Sequence, residues 1–113
     1  MEEKFFRYAE YFSALADENR TKIVGMLVNN EMCAGDILKE LQISQPTLSH
    51  HMKILVDSGL ISARKDGRLV FYKINEQVRD TVLDAYIDLT VGENDKADEM
   101  RKRIKKKDNI VLL

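Results

Sequence analysis

A mainly α-helical domain carrying one β-hairpin is the fold class this sequence predicts, and three observations predict it. Apolar residues recur at helical spacing in four segments before residue 58. Between Leu60 and Ile74 the pattern shifts toward strand alternation around an Asp-Gly pair. After Asn75 the helical period returns. The 113 residues allow one domain and exclude large enzyme architectures. With 44% hydrophobic residues, 33% charged residues and a single Pro, the composition is that of a compact, helix-rich chain and not a disordered one.

Each element has a local reason. The first helix carries Phe5, Phe6, Tyr8, Ala9, Phe12, Leu15 and Ala16 as a helical stripe, and holds five of the chain's eight aromatics. Asp17-Glu18-Asn19 breaks it, and Asp17 or Asn19 can cap the second helix. That second helix carries Ile23, Val24, Met26, Leu27 and Val28 and ends near Asn29-Asn30. A short third helix runs from Ala34 to Leu41, with Ile37, Leu38 and Leu41 facing inward. Ser44 is a good N-cap for the fourth, and Pro46 sits in its first turn, where a missing N–H is no loss. That helix continues to Ser58 with Leu48, Met52 and Leu55 on one side, and Gly59 ends it.

Leu60 to Lys65 then reads as a strand, Asp66-Gly67 as a tight turn, and Arg68 to Ile74 as the partner strand. Asn75 caps a fifth helix whose apolar residues are Val78, Val82, Leu83, Ala85, Tyr86 and Leu89. Gly92-Glu93-Asn94 interrupts it. Asp95 to Lys107 forms one more helix or frays, with Ala97, Met100 and Ile104 on one side and Asp98–Lys102 and Glu99–Arg103 at i, i+4. With no repeat and no long linker, residues 1–92 are expected to form one domain and 93–113 a charged tail, either frayed or a short helix.

Net charge is −1, which taken alone argues weakly against a nucleic-acid partner. Resolved along the chain, residues 1–43 balance to −3, 44–74 to +3, 75–100 to −6 and 101–113 to +5, so two basic blocks lie among acidic ones. The single cysteine cannot form an intrachain disulfide, and a reducing cytoplasm is the natural setting. Met1-Glu2-Glu3-Lys4 lacks a signal-peptide pattern. No apolar run approaches the roughly 18 residues that span a bilayer, so no membrane role is expected.

Two short helices joined by a tight turn, with a hairpin immediately after them that bears basic residues at its tip, make a winged helix-turn-helix. With its apolar face inward, the fourth helix leaves Ser44, Gln45, Thr47, Ser49, His50 and Lys53 as candidate contacts near its N-terminal half. That is the end of a recognition helix that meets base edges in the major groove of double-stranded DNA. Gln can be bidentate to adenine, and Ser, Thr and His can donate or accept. Arg64, Lys65, Arg68 and Tyr72 are the wing candidates, able to contact the backbone or the minor groove. His50 is expected toward DNA and His51 partly inward. Adjacent helical positions diverge by about 100°, so the two cannot readily chelate one ion. No paired acid and base, nucleophile motif, cofactor-binding Gly-rich loop or metal cluster points to an enzyme.

The sequence resembles the ArsR/SmtB family of small bacterial winged-helix repressors from Phe12 to Leu89. The resemblance rests on Leu15-Ala16-Asp17-Glu18-Asn19-Arg20, on Glu31-Met32-Cys33-Ala34-Gly35-Asp36-Ile37, on Ser44-Gln45-Pro46-Thr47-Leu48-Ser49-His50-His51-Met52-Lys53-Ile54-Leu55, and on Gly59-Leu60-Ile61 leading to Arg64-Lys65-Asp66-Gly67-Arg68 and Phe71-Tyr72. It implies a homodimer through the first and last helices, bound to a pseudo-palindromic operator and released by an inducer. Phe5, Phe6, Tyr8, Phe12, Val82, Tyr86 and Leu89 are the expected interface, because they exceed what one small core readily buries. The other reading is that the aromatics merely close the monomer core.

The inducer is left open. The family's thiolate site uses Cys-x-Cys on the third helix; here Cys33 is present but Gly35 takes the second position. One soft ligand per protomer cannot build a three-thiolate or Cys₄ site. No His occurs after His51, so the family's His-and-carboxylate site on the last helix is not expected either. Asp80, Asp84 and Asp88 share one helix face, as a hard-ion site or as the commoner solvated acidic face. Cys33 is either a redox-responsive thiol near a helix N-terminus or a small buried residue. The basic run Arg101 to Lys107 is either a phosphate contact or a solvated segment paired with the acidic stretch before it. The final Ile110-Val111-Leu112-Leu113 is expected to pack on the body or a partner chain. Two alternatives to the inducible repressor stand beside it: a winged-helix interaction module that does not bind DNA, and a repressor responding to Cys33 oxidation.

Overall fold

The computed structural model describes the backbone of residues 2–112 and the side chains of residues 3–105. The side chains of Lys106, Lys107 and Ile110-Val111-Leu112-Leu113, which the sequence suggests for phosphate contact and packing, lie outside the described residues. The chain divides into two compact units, Met1–Arg79 and Asp80–Leu113.

In the first unit the order is α1 (Glu2–Leu15), α2 (Glu18–Met26), β1 (Met32–Cys33), α3 (Ala34–Glu40), α4 (Gln45–Asp57), β2 (Ile61–Asp66), β3 (Leu69–Ile74) and the start of α5 (Glu76–Thr90). Asp17, not Asn19, caps α2: its backbone is extended and its carboxylate accepts from the N–H groups of Asn19 (2.9 Å) and Arg20 (3.1 Å). Ile23 of α2, Ile37 of α3, Leu55 of α4 and Ile61 of β2 are essentially fully buried and form the centre of the core. Burying each such side chain contributes about 1.5–3 kcal/mol. Leu48 and Met52 join Leu55 on the inner face of α4, as the spacing predicts. Gly59 ends α4 at φ +87°, a conformation that strains any residue with a Cβ.

The sheet has the order β1-β3-β2 and is antiparallel throughout. β1 is absent from the sequence-based expectation, since two residues carry no readable period. It adds Met32 opposite Tyr72 and Cys33 opposite Phe71. The turn also departs by one residue. Asp66 pairs with Leu69 inside the ladder, so the two-residue loop is Gly67-Arg68 and not Asp66-Gly67. Gly67 has φ +62° and no non-Gly described residue has positive φ, the pattern of a type II′ turn with Gly first. Arg68 therefore sits in the loop itself and not at the head of β3.

The second unit contains the rest of α5 and α6 (Asp95–Leu112). Gly92, at φ +90°, closes α5 by donating its N–H to the Ile87 carbonyl (3.1 Å). Asn94 then caps α6, its Oδ1 accepting from Ala97 N–H (3.0 Å). Of the two expectations for this stretch, the helix is what forms. Ala97 is fully buried, Glu99 pairs with Arg103 (2.9 Å), and Asp98 lies 3.9 Å from Arg101. Arg101 also donates to Asp84 of α5, which raises the Arg101 pKa and occupies the middle of the Asp80–Asp84–Asp88 stripe. Among the described residues, no helix is long and apolar enough to cross a membrane.

Candidate nucleic-acid interface

The outward face of α4 is prepared by its first turn. Ser44 has extended backbone, and its hydroxyl accepts from Thr47 N–H (3.3 Å) while donating to Thr47 Oγ1 (2.8 Å). Ser44 and Thr47 are thus partly spent on the cap, although Thr47 is exposed and Ser44 remains at the surface. Gln45, Ser49, His50 and Lys53 are exposed as well, so all six α4 candidates share the outer surface above the buried Leu48–Met52–Leu55 face. Lys53 donates to Asp57 (3.0 Å), an exposed i, i+4 pair worth about 0.3–0.5 kcal/mol that a phosphate can displace.

The two histidines diverge, with His50 exposed and His51 buried. Arg20 Nη1 lies 3.0 Å from His51 Nδ1, and a guanidinium can only donate, so Nδ1 is the acceptor in this contact. Asp17 is 3.9 Å from the same nitrogen, too far for a hydrogen bond. The other Arg20 donors reach back to α1: Nε donates to the Ala14 carbonyl (2.8 Å) and Nη2 to that of Ser13 (3.4 Å). Asp17 is held below the ordinary carboxylate range, chiefly by the Arg20 backbone N–H. One arginine thereby fastens the end of α1 and the start of α2 to the back of α4. Sequence reasoning misses this group, although the Asp17-to-Arg20 spacing is visible, because its third member is 31 residues away.

The wing candidates do not form one surface. Strand alternation puts Arg64 with Phe71 on one face of the sheet and Lys65 with Tyr72 on the other, while Arg68 is at the tip. Lys65 and Arg68 are exposed. Tyr72 is half-buried opposite Met32 and Ala63, and burial pushes its phenol pKa up. Arg64 is engaged: Nη2 donates to Glu31 Oε1 (2.6 Å) and Nε to Glu31 Oε2 (3.3 Å). Its guanidinium also lies over the Phe71 ring, 4.8 Å from the centroid. Sequence reasoning does not single out Glu31 as a site residue, because it lies outside the hairpin, just before β1.

The fold and polar face can be compared with known proteins. A family model described as bacterial regulatory protein, arsR family, matches residues 17–63. The arsenical resistance operon repressor of Staphylococcus aureus is 46% identical over 69 residues, 61% of this chain and 66% of that protein. The transcriptional repressor SdpR of Bacillus subtilis is 34% identical over 85 residues, covering 74% of this chain and 94% of the repressor. The chain belongs to the ArsR family.

Among solved structures, HlyU from Vibrio cholerae matches this ArsR-family chain with a TM-score of 0.65 and 30% identity, over 80% of this chain and 99% of that one. The winged-helix fold is thus shared. The chain spans just under two thirds, 66%, of the staphylococcal repressor. These relatives are transcriptional regulators and not enzymes, and they do not favour an interaction module without DNA binding. Within the ArsR fold, Cys33 is half-buried at the N-cap of α3 and makes no side-chain capping bond. Position 35, two residues on, is an exposed glycine.

Proposed function

We propose that this ArsR-family chain represses transcription as a homodimer on a pseudo-palindromic operator in the cytoplasm, reading bases with α4 and gripping the backbone with the wing. One observation carries the reading: the N-terminal half of α4 exposes Gln45, Thr47, Ser49 and His50 above a fully packed inner face. A well-packed helix with an exposed polar face suits the major groove, where each bidentate base contact is worth about 1–3 kcal/mol of discrimination. Dimerisation is supported by large apolar side chains left in water in each unit. Phe5 and Phe6 of α1 are 44% and 69% exposed, and Tyr86 and Leu89 of α5 are 56% and 50% exposed. Tyr8, Phe12 and Val82 are half-buried, and of the α1 aromatics only Tyr11 closes the core. Residues 1–92 would then supply both DNA binding and dimerisation. The inducer is a ligand other than a thiolate- or His-bound metal, since Cys33 is the single cysteine of the sequence and no His follows His51.

A mobility-shift series on operator and random duplex at several salt concentrations tests this. Gln45→Ala and His50→Ala should each cost about 1–3 kcal/mol on the operator and little on random DNA. Arg68→Ala should weaken both and flatten the salt dependence. Equal losses on both duplexes for the two α4 variants would remove that helix from base reading.

A further inference from the structure

Three wing cations are legible in the sequence, but the fold treats them differently. Lys65 and Arg68 have no ion-pair partner among the described residues, whereas Arg64 spends two donors on Glu31 and one face on Phe71. Its remaining terminal nitrogen, Nη1, lies 3.7 Å from Asp66, an ion pair too long for a hydrogen bond. Two donors and one face of the guanidinium are therefore engaged within the protein.

We infer that Glu31 is a counter-charge for the wing, withholding the Arg64 guanidinium from the DNA backbone and so lowering sequence-independent affinity. This rests on the DNA-binding reading above. The geometry suits competition and not permanent sequestration. Arg64 is 52% exposed and Glu31 31% exposed by side chain, so a phosphate can approach. Exposed ion pairs of this kind are weak, while a phosphate contact releases condensed counterions. Glu31 also faces Lys73, whose charge it feels, and Asp66 is the only other carboxylate near Arg64 among the described residues. The Arg64 hydrogen bond holds the Glu31 carboxyl below its ordinary value, so it is charged wherever the protein would meet DNA. Because sequence-independent binding is essentially electrostatic, one idle cation per wing leaves more of the discrimination to α4.

The experiment compares wild type, Glu31→Gln, Arg64→Ala and the double variant on random duplex across a salt series. Gln keeps the shape and one acceptor of Glu31 but not its charge. Glu31→Gln should bind random DNA about two- to fivefold tighter at low salt, the range an exposed ion pair can withhold. The slope of log affinity against log salt should steepen by about one per bound protomer. Arg64→Ala should weaken random-duplex binding less than Arg68→Ala does, and should abolish the Glu31→Gln gain in the double variant. Unchanged or weaker binding by Glu31→Gln overturns the inference, as does a gain that survives Arg64→Ala. Wild-type protein that shifts no duplex at any salt concentration would overturn the DNA-binding reading itself, and this inference with it.

Discussion

Between Ser44 and Ser58 the side chains divide into an inner set, Leu48, Met52, Leu55 and the buried His51, and a polar set turned to solvent. Between Ile61 and Ile74 the division is blurred. Only Ile61 is fully buried, Leu69 is 53% exposed, and the most prominent cation is tied to a residue outside the hairpin. The helix holds its shape by burial and offers a polar face whose internal contacts, the Ser44–Thr47 cap and the Lys53–Asp57 pair, lie at the surface. The wing has little core of its own, so it relies on ladder hydrogen bonds, the β1 pairing and the Glu31–Arg64 contact.

Truncations should expose that difference most strongly. Leu55→Ala, at a position with no exposure, should cost about 2–5 kcal/mol in urea denaturation, whereas Leu69→Ala at the wing should stay within about 0.5 kcal/mol. Comparable losses would mean the wing shares the core after all. Next in size is the cap. Ser44→Ala should remove about 0.5–2 kcal/mol of stability, because the Thr47 N–H loses its partner at the helix end that presents Gln45 and His50. Melts that leave the variant unchanged would show the first turn to be held by packing alone.

The smallest effect is on the acid side. Asp17 and Glu31 both have folded pKa values lowered from 3.8 and 4.5, by the Arg20 backbone N–H and the Arg64 side chain respectively. A lowered carboxyl favours the folded state fully above its ordinary value, and that contribution disappears as pH falls through the lower folded value. Carboxyl titration tracked by NMR should therefore find both groups still ionised where ordinary carboxylates have begun to protonate. A Glu31 that titrates at or above 4.5 would erase its pairing in solution.

Local signals explain what can be read from the sequence. Asp17, Ser44 and Asn75 announce helix starts because a cap needs only residues within three positions. Leu48, Met52 and Leu55 announce the inner face of α4 because one period relates them. The hairpin is legible, but sequence pattern places its turn one residue early. An Asp-Gly pair resembles the central residues of a type I′ turn, whereas the ladder keeps Asp66 and puts Gly67 first in a type II′ loop. β1 is too short to show alternation. The Arg20–His51 and Glu31–Arg64 contacts join residues 31 and 33 positions apart, and no local pattern encodes such meetings. The candidate base-reading face is therefore visible in the sequence, while the charges that hold it and temper the wing are not.

The Arg20 cluster carries a mechanical consequence. Its guanidinium grips carbonyls at the end of α1 and an imidazole on the back of α4. A tilt of α1 must either carry α4 along or rupture one of these bonds. With α1 in the proposed subunit interface, the spacing and pitch of the two reading heads become a property of the dimer. An effector that re-angles α1 would need no contact with the DNA-facing surface to throw the half-sites out of step.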